Sequence, residues 1–222
     1  MENYDVVKKD FNEISDIVED RWNHNNCYFK NIVKYLSEDN EVILEIGCGK
    51  GELSNLLAKK SDHVIAVDLA DRMIEKAISQ YGYKNIDFVS KNILDMEFEE
   101  NSLDAIVTTA TAHHLPYEWL LLFALRTLKP RGKLIILDLY KVNTFTDMLL
   151  NLLAVIPNMF MNIVHNKKIK SGDEHSREVW KRHGEHDTYM TLEEMHMLVQ
   201  KYLPGAVIRR KLFWRYLMIW EK

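Results

Sequence analysis

The sequence predicts a doubly wound α/β sheet, and three observations carry that prediction. A short apolar run, Val42, Ile43, Leu44 and Ile46, turns through Gly47-Cys48-Gly49-Lys50-Gly51 into a helical pattern at Leu53, Leu56 and Leu57. Strand-like and helix-like stretches then alternate until the pair has appeared five times. The chain has 222 residues, 47% hydrophobic and 28% charged, enough for one α/β core with a modest appendage.

Residues 5–36 read as two helices. Val6, Phe11, Ile14, Ile17 and Val18, then Tyr28, Phe29, Ile32, Val33 and Leu36, recur at three-to-four spacing. Turn formers at Trp22-Asn23-His24-Asn25-Asn26 divide them. Residues 1–38 thus form an arm that either packs on the sheet as a flap or covers a ligand.

The glycine-rich turn lets the backbone approach a ligand with no Cβ in the way. The following helix points unpaired N–H groups at the same place. A dinucleotide fingerprint, G-x-G-x-x-G, has Glu52 at its third glycine position here, a poor fit. His63–Asp68 is a second buried strand ending in a carboxylate. Asp68 lies where ribose hydroxyls are bound, and it is also placed to cap the next helix (Met73, Ile74, Ala77, Ile78).

Asn85–Ser90 is a third strand and Ser102–Thr109 a fourth, leading into Ala110-Thr111-Ala112-His113-His114. The switch point of an open parallel sheet is the expected ligand crevice, so Thr109 and Ala110 should line it. Histidine suits proton removal near neutral pH, which makes His113 and His114 candidate bases; capping or packing under the helix is the plainer role. Trp119–Leu128 is an amphipathic helix, and Lys133–Tyr140 a fifth strand.

Residues 141–190 form an insertion. Its apolar part, Met148–Val164, contains Asn151, Pro157, Asn158 and Asn162 and should break at Pro157 into two short helices. These would form a helical lid, with Met148, Met159 and Met161 on its inner wall. The polar run His175–Tyr189 reads as a loop, solvated or acceptor-binding. His183 and His186 in it are further candidate bases. With Asp187 they show one ligand set where zinc spacings use two, so no metal is expected. Thr191 and Glu194 form a capping box for a helix Leu192–Leu203, and two strands, Val207–Leu212 and Leu217–Trp220, follow.

The run E-I-G-C-G-K-G resembles the nucleotide-binding motif of class I S-adenosylmethionine-dependent methyltransferases. V-D-L-A-D-R-M-I, D-A-I-V…H-H-L and L-K-P-R-G resemble further motifs of that family. The tail L-P-G-A-V-I-R-R…W-R-Y-L-M-I-W resembles the ending of small bacterial members. The resemblance implies a Rossmann-like seven-stranded sheet closed by an antiparallel pair. It implies Glu45 and the turn Gly47, Cys48, Gly49 and Gly51 near the methionyl end of the cofactor, and Asp68 on the ribose. Leu69 and Met73 would contact the nucleoside. Asn92 and the backbone of Ile93 would hold adenine, Asn92 standing where the family commonly has an acidic residue; Asp95 is the alternative. Trp22, His24, Asn25 and Tyr28 would belong to the covering arm. Arg131 replaces a glycine usual in the family.

The expected function is therefore methyl transfer from S-adenosyl-L-methionine to a small-molecule acceptor by one domain spanning 1–222. The alternatives are a catalytically silent cofactor- or partner-binding module on the same fold, and an NAD-dependent oxidoreductase, which Glu52 disfavours. A net charge of −4 gives no electrostatic case for nucleic acid. Two cysteines, Cys27 and Cys48, and an N-terminus without an apolar signal core point to a cytoplasmic protein. Stable membrane insertion is not expected, and the protein should be a monomer or homodimer.

Overall fold

In the computed structural model, which describes residues 4–17, 22–82, 85–167, 174–185 and 187–222, seven strands form one sheet. They are β1 (Asn40–Ile46), β2 (Ser61–Asp68), β3 (Ile86–Ser90), β4 (Leu103–Thr109), β5 (Leu128–Leu139), β6 (Val207–Lys211) and β7 (Arg215–Glu221). The order is β3-β2-β1-β4-β5-β7-β6. The first five run parallel, and β7 is antiparallel to both neighbours. Chain direction therefore reverses its winding between β1 and β4, the position where such sheets bind ligands beyond their C-terminal strand ends.

Helices cover both faces, which is why the central strands are almost continuously apolar. They are α1 (Tyr4–Ile14), α2 (Asn26–Val33), α3 (Glu52–Leu57), α4 (Asp71–Tyr81), α5 (Tyr117–Thr127), α6 (Phe145–Met161), α7 (Glu174–Gly184) and α8 (Leu192–Tyr202). Side chains alternate across the sheet. Leu44, Ile106, Leu134, Ile136 and Met218 pack with Leu120, Leu121 and Ala124 of α5 and Met195 and Val199 of α8. Ile43, Val107, Ile135, Leu137 and Leu217 pack on the other face with Ile32 of α2 and Leu53 and Leu57 of α3. Truncating a buried leucine such as Leu121 to alanine should cost about 2–5 kcal/mol.

The insertion departs from expectation in three ways. First, α6 does not break at Pro157: the proline sits inside a continuous helix that runs on into a π turn at Asn162–Asn166. A proline removes one hydrogen bond from the ladder and costs about 3 kcal/mol. A Thr144–Asp147 capping box starts the helix well upstream, and an asparagine ladder holds its far end. Asn162 Nδ2 donates to the Asn158 carbonyl and to its Oδ1 at 3.0 and 2.9 Å, and Asn166 Nδ2 donates to Asn162 Oδ1 at 3.0 Å. Asn166 also exchanges two hydrogen bonds with the Trp22 backbone.

Second, the apolar side chains of α6 face outward. Met148 is 63% exposed and Ile156 76%, while Ala154 is buried against Trp22 and Phe213. By length and composition, Asp147–Asn166 is a helix able to cross a membrane. Third, the polar run forms a helix, α7. Its buried stripe is Ser176, Val179 and His183, a helical spacing of mostly polar residues.

Candidate functional site

A cavity of 690 Å³ opens over the C-terminal ends of β1, β2 and β4. That volume suits a nucleoside-sized ligand. Its floor is the glycine-rich turn. Gly47, Gly49 and Gly51 all have positive φ. At Gly47 the requirement is also steric, because a Cβ there would lie 1.9 Å from Thr111 Oγ1. Gly51 does not line the cavity; a Cβ on it would press on Phe88 and Tyr81, so it serves the packing of α3.

Asp68 holds the turn in shape. Its Oδ2 accepts from Gly49 N at 2.8 Å and its Oδ1 from Ala70 N at 2.9 Å. Burial raises its carboxyl above the usual range. Glu45 ends β1 beneath the turn, buried, and accepts from Ser54 Oγ. Burial pushes its carboxyl up to about 8, and the hydrogen bond from Ser54 only partly opposes this. Cys48, Leu69, Met73, Asn92, Ile93, Thr109 and Ala110 also line the cavity. Asn92 Oδ1 is engaged by Leu94 N at 3.0 Å, in an N-cap of the Ile93–Asp95 turn.

The arm closes one side. Trp22, His24 and Asn25 line the cavity, whereas Tyr28 turns away and donates to the Leu212 carbonyl at 2.9 Å. His24 stacks on Phe213 at 5.1 Å and bonds Asn158 Oδ1 at 2.9 Å; burial lowers the imidazole's pKa. Phe213 and Trp214, at the tip of the β6–β7 hairpin, both have positive φ, a strained conformation for such side chains.

The opposite side of the cavity is a cluster of histidines and carboxylates from five separate segments. His113 and His114 follow β4, Asp138 ends β5, Asp10 comes from α1, His183 from α7, and Asp187 and Tyr189 from the segment after it. His113 Nδ1 and Asp138 Oδ1 are 2.8 Å apart, and Asp138 also accepts from His113 N and Leu139 N. Burial opposes ionisation of Asp138, but His113 and these hydrogen bonds outweigh it and hold its carboxyl below the usual range. His183 Nδ1 lies 3.2 Å from Asp10 Oδ2. Tyr189 donates to Asp187 Oδ2 at 2.6 Å, and burial pushes its phenol up. Phe11 meets the rings of His114 and His183 edge-on. Arg215, at the start of β7, also lines the cavity and donates through Nε and Nη2 to Asn25 Oδ1 at 2.9 and 2.8 Å.

Three of the four histidines read as candidate bases thus meet in one place; His186 lies outside the described residues. Of the 141–190 insertion, α7 and its following segment line the cavity, and α6 with its methionines does not. Asp10, Asp138 and Arg215 carried no sequence signal of their own. Asp138 could have been found from its place at the C-terminal end of a parallel strand.

Residues 44–136 match the methyltransferase domain family. The chain is 26% identical over 201 residues to an uncharacterized methyltransferase of Mycobacterium bovis, covering 90% of this chain and 96% of that one. It is 33% identical over 109 residues to the malonyl-[acyl-carrier protein] O-methyltransferase of Bacillus anthracis, covering 41% and 39%. A SAM-dependent methyltransferase from Aquifex aeolicus superposes with a TM-score of 0.54 at 17% identity, covering 87% and 88%.

Proposed function

We propose that the chain is a class I methyltransferase that transfers the methyl group of S-adenosyl-L-methionine to a small-molecule acceptor. The observation that carries this reading is the single cavity joining the turn Gly47–Gly49, Glu45 and Asp68 to the histidine cluster. The donor's sulfonium supplies the reactive methyl group; the chain supplies alignment, exclusion of water and proton removal.

Glu45, once ionised, pairs with the ammonium of the methionyl part. Asp68 uses its remaining lone pairs for ribose hydroxyls. Asn92 and the Ile93 backbone hold adenine, and Thr109 and Ala110 flank the methyl group. On the acceptor side, ionised Asp138 accepts a hydrogen bond from His113 Nδ1–H, which fixes the tautomer in which Nε2 presents a lone pair to an acceptor hydroxyl, amine or thiol. α7 and the segment Asp187–Tyr189 supply the acceptor face.

Calorimetric titration with S-adenosylhomocysteine, with NAD in parallel, tests the cofactor half. The former should bind and the latter should not. Asp68→Ala should weaken binding tenfold or more. Unchanged affinity would remove Asp68 from the ribose, and a folded protein that binds neither would overturn the enzyme reading.

A further inference from the structure

We propose that His113, His114 and Asp187 form a binding site for one divalent transition-metal ion, with His183 at its edge. Ligand atoms of the first three all lie within 4.8 Å of one another. Asp187 is the hub: its oxygens lie 3.8 Å from His113 Nε2, 3.9 Å from His114 Nδ1 and 3.6 Å from His183 Nε2. These separations are too long for hydrogen bonds. They are close to the spacing of ligand atoms around a shared ion, roughly 3.4 Å for tetrahedral bonds of about 2.1 Å.

The surroundings are those of a built site. The side chains of His113, His114, His183 and Asp187 are each 5–7% exposed. The Asp138 carboxylate fixes the His113 ring through Nδ1, the outer carboxylate–histidine arrangement that orients metal ligands. Asp10 does the same for His183, and Tyr189 steadies one oxygen of Asp187.

Charge points the same way. Asp10, Asp138 and Asp187 bring three carboxylates into one buried region, where Arg215 is a cation near Asp138. Among the described residues no lysine or arginine pairs with Asp187. Burying a carboxylate without a cation is costly, and a bound divalent ion would supply one. Two imidazoles and one carboxylate suit zinc or ferrous iron and leave coordination positions open toward the cavity.

The chemical use of the ion rests on the methyltransferase reading; its binding does not. With the ion bound, His113 Nε2 is a ligand in place of a base, and an acceptor hydroxyl held at the open position would release its proton to solvent. Its oxygen would then form the new bond to the methyl carbon as the carbon–sulfur bond of the sulfonium breaks, leaving S-adenosylhomocysteine.

The test is equilibrium dialysis of chelator-treated protein against Zn²⁺, with Co²⁺ absorption as a second readout. One ion per chain is expected. Asp187→Asn and the double variant His113→Ala/His114→Ala should each lose it at least tenfold, and Asp138→Asn should weaken it about 10–100-fold. X-ray absorption of zinc-loaded wild-type protein should show two or more imidazole ligands whether or not the variants fold. No bound ion, retention by the double variant, or a shell without imidazole would overturn the site. S-adenosylhomocysteine titration of the same sample separates the two readings. Metal without nucleoside binding keeps the site and defeats the methyltransferase assignment; nucleoside without metal does the reverse.

Discussion

At the scale of single residues, the role proposed for Glu45 carries a pH signature. Its protonated form persists to about pH 8 because the carboxyl is buried at the end of β1. The proposed pairing with an ammonium requires the ionised form, so binding through Glu45 would release a proton whenever the pH lies below that value. Affinity for S-adenosylhomocysteine should therefore fall as pH is lowered from 8, by up to about tenfold per pH unit. Calorimetry at pH 7.5 and 6 in buffers of differing ionisation enthalpy would measure both the fall and the proton. Glu45→Gln should bind weakly with no such slope, and a flat wild-type profile would move the ammonium elsewhere. The residues that line this side of the cavity were legible in the sequence where they lie within a few positions of a strand end; Tyr28 and Gly51, expected there too, do not line it. The histidine cluster could not be read as a unit. His113 and Asp138 are 25 positions apart, and His183 and Asp10 are 173 apart; only the topology brings them into contact.

At the scale of elements, the same contrast separates the sheet from the insertion. The sheet strands announced themselves because burial on both faces demands unbroken apolar runs. α7 was hidden, since Ser176 and His183 occupy buried positions that normally carry hydrophobic residues. Pro157 does not break α6 as its local effect predicts, because the helix is secured elsewhere. The asparagine ladder provides that hold, and Asn162 is its middle rung, 2% exposed. Asn162→Ala should cost about 1 kcal/mol, since Asn158 Oδ1 loses one of its donors and Asn166 Nδ2 one of its acceptors in a partly buried setting. Urea unfolding gives the magnitude. Amide exchange localised to 145–166 would show the helix end loosening from the Trp22 loop; uniform protection would deny the ladder that role.

For the whole molecule, the cavity is a junction. The arm, the sheet, α7 and the β6–β7 hairpin meet there. A ligand bound among them stabilises every element that must leave for unfolding to proceed. At one hundred times its Kd, S-adenosylhomocysteine should add about 2.7 kcal/mol. For a chain of this size that corresponds to a rise in Tm of about 5–11 °C. Thermal scans across a ligand series measure it, and a Tm indifferent to ligand would mean that the nucleoside binds outside the junction or not at all.

The bond between Arg215 and Asn25 spans 190 positions. A ribosome adding about 5–20 residues per second delivers the second partner roughly 10–40 s after the first. During that interval the arm lacks the partner that ties Asn25 to the sheet, while β1 to β4 are already able to pair. The turn side of the cavity is thus synthesised well before the hairpin that completes its opposite wall.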